Sequence, residues 1–265
     1  MSRLLEATGI RKSFGSVVAV DGVDVSVDAG EIVSVIGPNG AGKTTLFNAL
    51  SGFSAADSGA VTLDGQDITR LSPSRIAQLG LVRTFQTARP LREATVLENV
   101  LAGGFLHARG GVLAALLRTP AFQGREREQV DEAYRILDLV DLSQHAARRP
   151  DELAAGQLRL LEIGRALAAR PRVLLLDEPA AGLNRVETGY VEHALRDLRE
   201  SGIAVLLVEH DVDLVLRVSD RVAVLDFGRP LAAGTPAEIR ANYAVAAAYF
   251  GTDDMAIADE REGLV

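Results

Sequence analysis

The sequence predicts an α/β fold: a parallel sheet core, preceded by an N-terminal antiparallel β subdomain and interrupted by an inserted helical subdomain. Three observations carry this. The glycine-rich stretch Gly37–Thr45 (GPNGAGKTT) stands between a run rich in β-branched residues and a segment with helical spacing. Aliphatic runs at 173–176 and 203–208 read as strands buried on both faces, as in parallel sheets. Alternation before residue 28, and a glycine-interrupted helical pattern from Thr95 to about Arg149, mark the two additions.

Composition narrows the field. A chain of 265 residues makes one large or two modest domains, and 48% hydrophobic content supplies a core. A formal net charge of −8 argues against a nucleic-acid binder working by phosphate neutralisation. The absence of cysteine removes disulfide and thiol chemistry and fits the cytosol. No apolar run is long enough to span a bilayer, and MSRLLEATGIRKSFG lacks a signal peptide's apolar core.

Taken in order, residues 4–8, 17–20 and 23–27 alternate apolar and polar, with turns at Phe14-Gly15-Ser16, Asp21-Gly22 and Ala29-Gly30. Phe14, in the first turn, can stack on a base or belong to the core; position alone divides the two readings evenly. Glu31–Ile36 reads as a strand, then comes the glycine stretch, then helical Leu46–Leu50. Strand, loop and helix are the context that the pattern G-x-x-x-x-G-K-[ST] requires of a phosphate-binding loop. Gly37, Gly40 and Gly42 let the loop, with Pro38, Asn39 and Ala41 between them, turn so that its available backbone N–H groups (Pro38 has none) point inward, where a Cβ would obstruct a phosphate. The helix N-terminus adds partial positive charge. Lys43, one of only two lysines, can reach the β- and γ-phosphates, and Thr44, followed by Thr45, can place its hydroxyl on Mg²⁺.

Ala60–Leu63 predicts a strand, Ser72-Pro73-Ser74 the start of a short helix, and Leu79–Phe85 a strand that could run beside the one before the glycine stretch. Gln86 closes that strand, as a polar strand end or as a ligand of Mg²⁺ and water. Leu97, Val100 and Leu101 begin a helix. Val112–Leu117 is an apolar patch, for core or for docking another subunit. Glu126–Leu142 is helical, with Val130, Ala133, Tyr134, Leu137 and Val140 on one face. Asp151–Gln157 leads into a helix ending at Ala169.

The run Val173–Leu176 ends in Asp177-Glu178. Two carboxylates at the end of a buried strand are costly unless they bind something or cap a helix. Asp177 suits Mg²⁺ through water, and Glu178 suits polarising an attacking water. Helix Val186–Glu200 and strand Ile203–Val208 follow, ending in Glu209-His210-Asp211. His210 stands where ligands bind in open α/β sheets. Val212–Val218 predicts a helix, Arg221–Leu225 the final strand, and Pro236–Arg240 and Val245–Phe250 terminal helices. Thr252–Val265 is acidic, with the character of a frayed tail.

The order of these motifs resembles the ATP-binding subunit of ABC transporters over about residues 4–240. GPNGAGKTT matches the Walker A loop and VLLLDE the Walker B strand. Gln86 matches the Q-loop glutamine, Ala181–Asn184 the D-loop and His210 the switch histidine. Phe14 matches the aromatic that stacks on adenine. Leu153, Ala154, Ala155, Gly156 and Gln157 occupy the signature usually written LSGGQ. Asn184 replaces the D-loop aspartate of the wider superfamily, and Ala154 the signature serine. VRTFQTARP, LEIGRALAARPRVLLLDEPAAGLN and GTPAEIRAN are similar to the branched-chain amino acid importer type, extending the resemblance to about residue 250.

The resemblance implies a P-loop NTPase (RecA-like) core. A β subdomain and nucleotide core would take 1–94 and 165–235, a helical subdomain about 95–164, and a flexible tail 251–265. It implies ATP and Mg²⁺ as ligands, with Glu178, His210, Gln86 and Lys43 in catalysis and Thr44, Gln86 and Asp177 at the metal. It implies a second ATP-binding subunit, two transmembrane permease subunits and, indirectly, a substrate-binding protein, with the chain peripheral on the cytoplasmic face of the inner membrane. The missing Ala154 hydroxyl favours a heterodimer. A soluble ABC-type ATPase outside transport, or a nucleotide-binding subunit with weak turnover, are the competing readings.

Overall fold

The computed structural model describes residues 3–84, 90–104 and 120–250. Gln86, the Val112–Leu117 patch and the 251–265 tail lie outside the described residues.

Among the described residues, ten strands form two sheets. The first is antiparallel, in the order β2-β1-β4-β5, from β1 (Leu5–Phe14), β2 (Val17–Val27), β4 (Ser58–Leu63) and β5 (Gln66–Asp67). β2 runs through Asp21-Gly22, where a turn is expected. Gly22 takes a positive φ of 70° within the strand, and the β1–β2 register shifts nearby. A left-handed glycine here makes a bulge rather than a reversal.

The second sheet has the order β10-β9-β3-β8-β7-β6. It comprises β3 (Ile32–Ile36), β6 (Leu81–Arg83), β7 (Val173–Asp177), β8 (Ala204–Val208), β9 (Arg221–Asp226) and β10 (Arg229–Gly234). All neighbours are parallel except β10, which forms a hairpin with β9. Two expectations need correction. β6 does not run beside β3; it pairs with β7 at the sheet's edge. The wholly buried strands β3, β7 and β8 occupy the interior, and a three-residue strand ending in Arg83 suits an edge. Nor is Arg221–Leu225 the final strand, because β10 follows it.

Alternate side chains of the central strands point to opposite layers. Val33, Val35, Leu175, Leu206 and Val208 pack with the antiparallel sheet and with α1 (Lys43–Leu50). Ile32, Leu174, Leu176, Val205 and Leu207 pack with helices on the other face. These are α3 (Val96–Gly103), α4 (Pro120–Leu139), α5 (Ala155–Leu167) and α6 (Arg185–Glu200), whereas α2 (Pro73–Gln78) sends Ile76 into the first layer. On α4, Ile136 is buried and Tyr134 is 42% exposed, so the buried stripe is narrower than expected at Tyr134. α7 (Val212–Val218), α8 (Pro236–Arg240) and α9 (Tyr243–Phe250) close a third cluster around Ile36, Val222 and Val224.

Candidate functional site

The site is built where β3, β7 and β8 end together. β3 runs into the loop Gly37–Gly42, and α1 begins at Lys43. Gly37, Gly40 and Gly42 all have positive φ, at 152°, 83° and 95°. A Cβ on Gly37 would meet the Leu225 carbonyl oxygen at 2.1 Å, and one on Gly42 the Ala19 carbonyl oxygen at 2.3 Å. A Cβ on Gly40 would meet nothing within 4 Å. Gly37 and Gly42 therefore answer to protein backbone packed against the loop, a constraint that the sequence reading did not include, whereas the space beside Gly40 is open.

Lys43 Nζ donates to the Gly37 carbonyl at 2.7 Å and the Pro38 carbonyl at 3.0 Å, so its side chain folds back over the loop. Burial lowers its pKa, opposed by the Glu178 and Asp177 carboxylates. Thr44 is exposed, as are Asn39 and Gly40, whereas Thr45 is half-buried and Ala41 is buried. Phe14 ends β1 and is 54% exposed, with Lys12 Nζ 5.6 Å from its ring centroid. Burial pushes the Tyr249 hydroxyl above its ordinary value, opposed by the backbone of Gly37.

Asp177 is buried, and its Oδ2 accepts from Arg83 Nη2 at 2.8 Å. Glu178 follows with φ 51°, and its N–H donates to the Val208 carbonyl at 2.8 Å. A non-glycine residue held there costs on the order of 1–3 kcal/mol, a strain that clusters at functional sites. Glu178 Oε1 lies 2.7 Å from His210 Nε2. Glu209, buried beside them, accepts from the N–H groups of Ala180 at 2.6 Å and His210 at 3.0 Å. Burial pushes its pKa up; the N–H groups of Ala180, His210 and Asp211 oppose this, and the Glu178 charge adds to it.

A second cluster lies at the start of α5. Leu153 is buried in the core, so only its backbone could meet a ligand, whereas Ala154 and Ala155 are exposed. Gln157 Oε1 accepts from the Ala154 N–H at 3.0 Å, and Gln157 Nε2 lies 2.8 Å from His145 Nε2. The Gly156 N–H donates to Glu187 Oε1 at 3.3 Å, while Glu187 Oε2 accepts from the Asn184 N–H at 3.1 Å. A Cβ on Gly156 would stand 2.9 Å from Glu187 Cβ, so glycine permits this approach.

Sequence reasoning did not single out Arg83, Glu209, His145, Glu187 or Tyr249. Their decisive partners, such as Asp177 for Arg83, Ala180 for Glu209 and Gly156 for Glu187, lie on other elements of the fold. The local signals were Glu209, a carboxylate just past an aliphatic strand, and Glu187, at capping-box spacing from Asn184.

The chain matches the ABC transporter family over residues 20–181 and the branched-chain amino acid ATP-binding cassette transporter family over residues 229–255. It is 47% identical over 253 residues to the high-affinity branched-chain amino acid transport ATP-binding protein BraF of Pseudomonas aeruginosa, covering 95% of this chain and 99% of BraF. The corresponding protein LivG of Salmonella typhimurium is 45% identical over 249 residues, covering 94% of this chain and 98% of LivG. An ATP-binding cassette of an ABC transporter, solved in its ADP conformation, superposes with a TM-score of 0.83 at 37% identity, covering 95% of this chain and all of that one. With the glycine loop, the Asp177-Glu178 strand end and Ala155–Leu167 held on one cassette fold, the chain belongs to the ABC transporter family, as one of its ATP-binding subunits.

Proposed function

We propose that this chain is the ATP-hydrolysing subunit of an ABC importer for branched-chain amino acids or a related small polar solute. The observation that carries the reading is the 47% identity to BraF along 253 residues. The branched-chain family's match at residues 229–255 supports it outside the nucleotide loop.

In this reading Phe14 stacks on adenine, and the N–H groups of Gly37–Thr45 hold the phosphates. Lys43 exchanges its two carbonyl partners for phosphate oxygens. The residues fit Mg²⁺: Asp177 is a buried carboxylate and Thr44 an exposed hydroxyl at the start of α1. Among the described residues no group of three or more His, Cys, Asp or Glu could hold a metal, which suits an ion that keeps its waters and takes phosphate oxygens. Thr44, Asp177 and Gln86 would hold it, and it would neutralise charge on the phosphates. Glu178 accepts the proton of the attacking water, and His210, within hydrogen-bond distance, orients Glu178 and faces the γ-phosphate.

Leu153–Gln157 would close on nucleotide held by a second ATP-binding subunit. Ala154 brings no hydroxyl, so a heterodimer with an intact signature on the partner is favoured. Two permease subunits and a substrate-binding protein complete the importer. No described helix is long and apolar enough to cross a membrane, which fits a subunit held at the cytoplasmic face by those permeases. Purifying the tagged chain from detergent-solubilised membranes tests this: permease subunits should accompany it, with steady ATPase activity. Recovery without permeases, or without turnover, would overturn it.

A further inference from the structure

Asp177 and Arg83 form an ion pair at 2.8 Å whose side chains are only 7% and 5% exposed. Arg83 ends β6 and Asp177 ends the neighbouring β7, so the pair lies at the carboxyl end of the sheet beside the glycine loop. The rest of the guanidinium is clamped by α1 and the turn after it. Nη1 donates to Asn48 Oδ1 at 2.7 Å and Ser51 Oγ at 3.2 Å. The Phe47 and Phe53 ring centroids lie 5.7 and 5.9 Å from the guanidinium carbon. Lys43, the other nearby cation, directs its ammonium to the Gly37 and Pro38 carbonyls instead.

A buried ionised carboxylate is costly unless a paired charge, a metal or several hydrogen bonds hold it. We propose that Arg83 is the resident counter-ion of Asp177, neutralising it before a divalent cation arrives and setting how tightly that cation is held. The inference rests on the reading of Asp177 as a cation ligand. Arg83 stands as a fixed positive charge beside the incoming ion, so it weakens cation binding while making the fold independent of the cation. Removing its charge should therefore do two things that a packing defect alone would not: tighten cation binding and make stability depend on the cation.

The test uses the full chain with ADP and Mn²⁺, free Mn²⁺ being read by electron paramagnetic resonance, with melting temperatures taken with and without Mg²⁺. Arg83→Gln should bind Mn²⁺ roughly three- to tenfold more tightly, as removal of a nearby like charge requires. Its melting temperature should fall without Mg²⁺ and recover much of the loss with it. Arg83→Lys, which keeps the charge, should stay near the wild type in both. Unchanged or weaker Mn²⁺ binding by Arg83→Gln would overturn the proposal. If Arg83→Gln does not fold, Arg83→Gln combined with Asp177→Asn should fold, since neither buried charge remains; failure of that pair to fold would also overturn it. Asp177→Asn alone separates the two layers: loss of Mn²⁺ binding supports the cation reading, and unchanged binding overturns that reading together with this inference.

Discussion

His210 Nε2 stands 2.7 Å from Glu178 Oε1, joining the second residue past β8 to the first past β7. The histidine side chain is 44% exposed and the glutamate 12%, so the pair opens to solvent on the histidine side. The strained Glu178 backbone, tied to the Val208 carbonyl, aims the carboxylate toward this partner. His210→Ala should leave ATP binding within about twofold and lower single-turnover hydrolysis by roughly 10²-fold or more, the range of positioned acid–base groups. Calorimetry and rapid-quench measurements separate the two; equal losses in both would make His210 a binding residue.

Lys43 is held by two carbonyls that a phosphate would displace. Losing a hydrogen bond to a charged group costs about 1.5–3 kcal/mol, so Lys43→Ala should weaken ATP binding by roughly ten- to a hundredfold. In the proposed heterodimer the consequences should be unequal. Lys43→Ala should remove nearly all ATPase activity, because in that proposal this chain's loop faces an intact partner signature. The matching lysine change in the partner should spare a substantial part, because that loop faces Ala154. Equal losses would favour symmetric, coupled sites.

Gly42 shows how the loop is fixed from behind. Its φ is 95°, and a Cβ would press on the Ala19 carbonyl oxygen of β2 at 2.3 Å. Gly42→Ala should cost about 2 kcal/mol or more through left-handed strain and displacement of β2, lowering the melting temperature even without nucleotide. A melting temperature within about a degree of the wild type would show that the loop and β2 yield freely.

Glu209 gives the site a pH signature. Burial raises its folded pKa above the ordinary glutamate value, so it favours the fold fully below that value, and this contribution is lost as pH rises through the folded pKa. Glu209→Gln removes the titration while losing one acceptor. Measured by melting temperature across that window, the variant should gain on the wild type as pH rises. A difference independent of pH would contradict the raised pKa.

Much of this architecture was legible in the sequence because its signals are local. Four aliphatics before Asp177, and the run ending at Val208, can hardly be anything but interior strands. β10 was not legible: RPLAAG has no β-branched residue and carries Pro230 at its second position, tolerated because the strand lies on the sheet's edge. The Asp21-Gly22 dipeptide read as a turn because bulge and turn share one glycine conformation. Lys43, Glu178 and His210 could be named from spacing alone, but the Arg83–Asp177 pair joins residues 94 positions apart and depends on β6 lying beside β7. Sequence placed β6 elsewhere, so that contact had no basis until the strand order was known.

The most direct measurement is solute uptake into proteoliposomes holding this chain with the permease subunits and partner ATPase proposed for it. ATP is supplied on the cassette side, and labelled leucine with the binding protein on the other. With the wild-type chain, leucine should accumulate only when ATP is present. With Glu178→Gln, accumulation should cease while ATP stays bound and unhydrolysed, since an amide keeps the shape but takes no proton. Uptake without ATP, or undiminished uptake with Glu178→Gln, would contradict the account.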